Sequence, residues 1–266
     1  MKKLVAIIAV TIVALAGCTS MISPTTRGSG VKAAEDRVVG RFTGIEAVGS
    51  VRVSVKRGEK PACTVKGDDN IVAMVATEVS GGVLRIEAKG SIDPVVPLEV
   101  EVVAPRIDSV VEEGSGMLVV GDFVCEALEA RVKGSGSIRG GRIETVSLDA
   151  GVNGSGKLSI SDLAARDATL GLSGSGAITV SGRAEHLMLR QAGSGASDLA
   201  GLCVDNAAVE VSGSGDATVS VAKTLRAQVT GSGDIACLGE PALKISRDVN
   251  GSGTVRLIGS GNCFAD

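Results

Sequence analysis

Few residues of this chain are equipped for chemistry. The only histidine is His186, so a metal site built from several imidazoles is excluded and a single candidate base remains; it reads as a solvated side chain. Serines are plentiful, but none stands in a Gly-x-Ser-x-Gly nucleophile elbow, and they lie in Gly-Ser-Gly turns instead. The stretch 151–157, Gly-Val-Asn-Gly-Ser-Gly-Lys, nearly matches a phosphate-binding loop. That loop needs Ser or Thr after the lysine and then a helix, whereas Leu158 comes next and opens a strand. The match is an accident of repetition. Asp216 and Asp234 each follow a Gly-Ser-Gly triplet. Stacked in adjacent coils they could attract a cation, which makes them the only metal candidates, although Asp is equally at home in turns. Polysaccharide lyases and hydrolases need paired carboxylates or a positioned base in a cleft, and coils this short leave little room for cleft-building loops. The residues therefore predict a chain that is not an enzyme and carries no cofactor.

What must position these residues is a repeat. Gly-Ser-Gly triplets span Gly114 to Gly116, Gly134 to Gly136, Gly154 to Gly156, Gly174 to Gly176, Gly193 to Gly195, Gly213 to Gly215, Gly231 to Gly233 and Gly251 to Gly253, at intervals of 20, 20, 20, 19, 20, 18 and 20 residues. A fixed period of this length marks a solenoid, in which one repeat cannot bury its own apolar face and stacks on its neighbours. Within a repeat the apolar residues alternate with polar ones, as in Leu128, Ala130 and Val132 or Leu158 and Ile160. That period of two means strands with one buried face. The fold class is all-β, a right-handed parallel β-helix; eight coils about 4.8 Å apart would make a rod of roughly 35–40 Å. The glycines are corner residues, free to adopt positive φ and small enough to stack closely, and the serine between them is able to bond the backbone of the turn.

Composition suits thin stacked layers. Hydrophobic residues make up 44% of the 266 residues and charged ones 21%, with 37 glycines, no Trp, no Tyr and only Phe42, Phe123 and Phe264. Val, Ile, Leu and Ala must fill the core that aromatic rings usually fill. A net charge of −3 gives no reason to expect a nucleic-acid partner. Residues 38–110 are β-rich without the triplet, as in Val51, Val53 and Val55, and read as a cap or first coils; 111–258 are the coils and 259–266 a tail.

The first eighteen residues carry an address. Lys2 and Lys3 precede an apolar run from Leu4 to Ala16, too short to span a membrane comfortably, as in a signal peptide over 1–17. Leu15-Ala16-Gly17-Cys18 resembles the lipobox of bacterial lipoproteins, which implies that Cys18 receives a diacylglycerol and holds the chain on a membrane. Thr19 follows where an Asp would resemble the inner-membrane retention signal of enteric bacteria, which favours the outer membrane. Residues 18–37, rich in Ser, Thr, Gly and Ala, read as a lipidated flexible tether. Of the other cysteines, Cys125, Cys203 and Cys237 lie too many coils apart to pair with one another, since a disulfide needs Cα atoms within about 7 Å. Cys237 falls at a core position, and Cys63 and Cys263 stay open.

Phe42-Thr43-Gly44-Ile45 leading to Val51–Val55, then Val100–Pro105, then serial Gly-Ser-Gly coils resembles the head GIN domain family over about residues 38 to 258. The family is described as adhesin heads and is common among envelope lipoproteins; many members follow the triplet with Asp, as this chain does only at Asp216 and Asp234. The resemblance implies a lipid-anchored envelope module that presents a β surface to an envelope protein or glycan. A carbohydrate-active or polysaccharide-binding β-helix is the rival, and a self-associating scaffold pairing through its final coil is a third reading.

Overall fold

A computed structural model describes residues 25–239 and 243–259. The expected β-solenoid is what they form. Strands Phe123–Gly134, Ser137–Gly154, Lys157–Gly174, Ala177–Gly193, Ala196–Gly213 and Asp216–Gly231 each stack in parallel on the next, register for register across the triplet. Alternation decides which side faces in. Val53, Leu118, Ile138, Leu158 and Ile178 form one column through five coils, each at most 2% exposed. The inward column on the other side of the corner runs Val132, Val152, Leu172 and, later, Val211 and Val229. Phe123 is buried beside the first full coils.

The solenoid starts ahead of the first triplet. Gly44–Gly49 pairs in parallel with both Ser109–Gly114 and Val83–Ala88, and Arg52–Arg57 does the same with Met117–Val120 and Glu99–Ala104. Antiparallel strands then close that end: Ala62–Asp68 lies between Glu99–Ala104 and Lys32–Arg37, and Val75–Ser80 folds back on Val83–Ala88. The tether expected over residues 18–37 is corrected here: Thr26–Arg27 pairs with Ile92–Asp93, and Lys32–Arg37 is a strand of the cap. Asp68 ties this cap together. Its buried carboxylate accepts the N–H groups of Gly30 at 2.7 Å, Val95 at 2.9 Å and Val96 at 3.0 Å. Burial pushes that carboxyl up, and the N–H groups more than offset the push, leaving it below its ordinary value.

At each corner both glycines face the coil beneath. Gly174 has φ 114°, and a Cβ there would sit 2.5 Å from the carbonyl oxygen of Gly154. A Cβ on Gly176 would meet the oxygen of Gly156 at 2.5 Å. The oxygens are so close because they accept hydrogen bonds: Ser175 N–H and Gly176 N–H both donate to Gly154 O at 3.0 Å. The sequence expectation for the serine needs correction here. Among the described residues none of the eight evenly spaced triplet serines bonds the backbone through its hydroxyl; each acts through its main-chain N–H, and its side chain points to solvent because the inner side of the corner has no room.

Two corners hold buried polar side chains where the others have Val or Leu. Gln191 is fully partnered: its Nε2 donates to Gly195 O at 2.8 Å and its Oε1 accepts from Ser197 Oγ at 2.6 Å. Glu112 is not. Its Oε1 accepts the Gly116 N–H at 2.7 Å, but Oε2 has no partner. Burial raises the Glu112 carboxyl from 4.5 to about 7.

Two outcomes follow. Gly174→Ala should destabilise the fold by roughly 2–4 kcal/mol, because positive φ and carbonyl contact act together. Gly171→Ala should be neutral or stabilising by up to about 1 kcal/mol, since nothing lies within 4 Å of a Cβ there; denaturant titration of the two variants checks the contrast. Because the folded pKa of Glu112 lies above its unfolded one, its contribution favours the fold below about pH 4.5 and is lost as pH rises through about 7. Glu112→Val should therefore stabilise the protein by about 2 kcal/mol more at pH 8 than at pH 5.

Candidate functional site

Outward side chains form columns too, and one column is interrupted. In successive coils it reads Arg131, Gly151, Gly171, Arg190, Glu210 and Gln228. Two adjacent coils thus lack a side chain where their neighbours carry long ones. The result is a notch in the flank, a cavity of about 470 Å³. Its open floor is the backbone of Gly171, beside the buried Gly151 over which the Arg131 side chain lies, and its sides are the exposed Asp149 and Thr169 on one flank and Asn153 and Ser173 on the other. Arg131 and Arg190 stand at its two ends. Each is already paired: Arg131 with Asp149 and, at 3.3 Å, with Glu129, and Arg190 with Glu210 at 3.2 Å. Lys133, on the rim, leans 3.7 Å from Glu113.

The residues singled out from the sequence lie elsewhere and are not brought together. His186 is exposed, in register with Asp167 and Asn206 of the neighbouring coils. The stretch 151–157 is strand, corner and strand, and its Ser155 and Gly156 N–H groups are both spent on Gly134 O, so they cannot cradle a phosphate. Asp216 and Asp234 do stack, but as a backbone ladder. Asp216 Oδ1 accepts the Asp234 N–H at 2.9 Å, and Asp234 Oδ1 accepts the Thr254 N–H and hydroxyl at 2.8 and 2.7 Å. The Thr254 hydroxyl and N–H hold the Asp234 carboxyl below its ordinary value. Among the described residues no group of three or more His, Cys, Asp or Glu side chains is placed to hold a metal ion.

Nor does the one markedly raised carboxyl have a partner for acid–base work. Glu112 is sealed beneath the first corners, where a Cβ on Gly136 would collide with its carboxylate. Many of the other acidic and basic side chains form exposed pairs scattered over the surface, such as Lys66 with Glu101 at 2.8 Å and Lys223 with Asp205 at 2.9 Å. This is the mixed-charge surface expected of a binding module.

Cys63 and Cys237 are free and buried, and burial pushes both thiols up to about 11. Cys125 is free and half-buried. Cys203 is disulfide-bonded, and since Cys125 and Cys237 are free thiols, neither is its partner. Cys18, where lipidation is expected from the sequence, and Cys263 lie outside the described residues. The notch was missed in the sequence because its glycines fall outside the triplets. The available signal was a glycine in the middle of an alternating run, in Ala150-Gly151-Val152 and Leu170-Gly171-Leu172.

The comparisons agree on the architecture. The chain superposes on a crystal structure of a "putative lipid binding protein" from Parabacteroides distasonis with a TM-score of 0.82 and 24% identity, covering 88% of this chain and 100% of that one. A "putative adhesin" from Parabacteroides merdae gives 0.79 and 21% over 87% and 98% of the two chains, and another from Parabacteroides distasonis gives 0.79 and 23% over 87% and 99%. At these identities the likeness establishes the fold. No curated protein matches the chain. The family described as "Putative auto-transporter adhesin, head GIN domain" matches residues 41–241. That span covers well over half of the sequence and runs from the closed end through seven of the eight triplets, so the chain belongs to the head GIN domain family.

Proposed function

We propose that this protein is a non-catalytic, lipid-anchored module of the bacterial cell envelope that presents its solenoid flank for adhesion to a macromolecule. The observation that carries the reading is the surface of a family member whose described coils stack as continuous strand, with the notch in one flank. Polar side chains alternate outward along the strands of the coils, and many of their charges meet in exposed pairs. Such a surface is rigid, repetitive and wide, which suits many weak contacts with an extended partner better than the enclosure of a small substrate. The anchor rests on the sequence: a charged start, a short apolar run and Cys18 at the lipobox position. One acyl chain holds a protein marginally and several hold it stably, so a lipidated Cys18 would hold the head at the membrane through the few residues ahead of its first strand. The outer membrane is the proposed site, and the proposed partner is an envelope protein or a glycan; a net charge of −3 gives no reason to expect nucleic acid.

Two measurements test this. Cells fed a labelled fatty acid should label the native chain and not Cys18→Ala, and the variant should leave the membrane fraction; equal labelling of both would remove the anchor. Cells lacking the gene should attach to neighbouring cells or coated surfaces several-fold less than cells re-expressing it. Unchanged attachment would remove the adhesive role. Protease added to intact cells should digest the head if that attachment is direct.

A further inference from the structure

We infer that the notch over Gly151 and Gly171 is a subsite for one uncharged sugar ring of a glycan, seated on the glycine backbone and held by the side chains around it. The inference deepens the adhesive reading and rests on it. Glycine inside a strand marks a bulge, a tight bend, or a place where a ligand or another backbone approaches closely. The first two are absent here. Pairing is continuous from Ser147 to Gly154 and from Asp167 to Gly174. Neither glycine has positive φ. A Cβ on Gly151 would meet Arg131 Nη1 and the Gly171 carbonyl oxygen at 3.2 Å, so that glycine makes room for the arginine, whereas a Cβ on Gly171 would meet nothing within 4 Å. The fold has no need of glycine at position 171, and the column continues from it as Arg190 and then Glu210.

A second backbone cannot be the visitor. Both glycines sit within a parallel ladder paired on either side, so no edge is open for strand addition. A ligand that bonds to side chains is left, and the rim sets its chemistry. Asp149 accepts, Asn153, Thr169 and Ser173 both donate and accept, and Arg131 and Arg190 donate from the two ends. This array matches a ring carrying hydroxyls on several sides. The arginines stand three coil spacings apart, about 14 Å, which accommodates one ring and the links to its neighbours. The charge balance selects among sugars. Arg131, Arg190 and Lys133 are each paired with an acidic side chain, so no uncompensated cation waits for a uronate or sulfate.

The test is affinity electrophoresis of the full-length chain in detergent, in gels containing dextran, mannan, galactan or polygalacturonate. At least one neutral polymer should retard the native protein, and polygalacturonate should not. Gly171→Gln places in the notch the side chain that Gln228 already carries in the same column; it should keep the native melting temperature and lose at least tenfold in apparent affinity. Gly171→Ala, which adds only a methyl group to the floor, should lose less. Retardation by no neutral polymer, retardation by the acidic polymer alone, or equal retardation of native and Gln variants would each overturn the inference. Cell attachment read on the same Gln variant separates the two readings. Attachment kept while the notch fails leaves the adhesive role standing on another surface, whereas attachment unaffected by deleting the whole gene removes that role as well.

Discussion

One carbonyl per coil governs this structure. From Gly114 to Gly231, the first glycine of each triplet offers its oxygen to two N–H donors of the next coil, as Gly134 O does to Ser155 and Gly156 at 2.9 Å. Doubling the donors draws the corners so close that no Cβ fits between them, so the glycines are a consequence of the hydrogen bond as much as a condition for it. Everything else takes its phase from that contact. Once the corners are locked, the strands on either side are in register, and the alternation of the sequence assigns each residue to core or solvent without further choice.

The same lock explains why so plain a core suffices. Each inward position meets its own equivalents above and below, so a column of Val, Leu and Ile is filled by residues of matched size and needs no ring to bridge an irregular space. Exceptions to the column are informative for that reason. Gln191 and Ser197 replace two apolar residues together and satisfy one another across a corner, whereas Glu112 stands opposite Leu118 and keeps one oxygen unpaired. Two polar substitutions at one corner are absorbed; one alone leaves a charge-bearing group in an apolar layer.

The fold was legible because its signals are periodic. The interval of about twenty residues gave the solenoid, and Leu158 with Ile160, or Ala150 with Val152, gave strands with one wet face. What was not legible depends on facing between coils. Asp216 and Asp234 were visible as a stacked pair, but their partners, a backbone N–H and Thr254, appear only when the coils are placed together. The outward turn of the triplet serines follows from a crowding that no single repeat displays. The notch needed two glycines from different coils to be neighbours, and Glu112 became unusual only beside the valines of its column.

The irregularities of the ladder all fall on one side. Shifts in pairing occur between Ile160 and Leu163, between Thr179 and Gly182, twice between Leu199 and Asn206, and between Cys237 and Leu238. None touches a corner, although the coils around them contain 18, 19 or 20 residues. The corner behaves like the bound spine of a book whose pages differ in width. A residue gained or lost is taken up at the free margin, and the pages above and below stay aligned. Evolution can therefore write on that margin, lengthening or trimming one coil at a time, without reopening the question of how the chain folds.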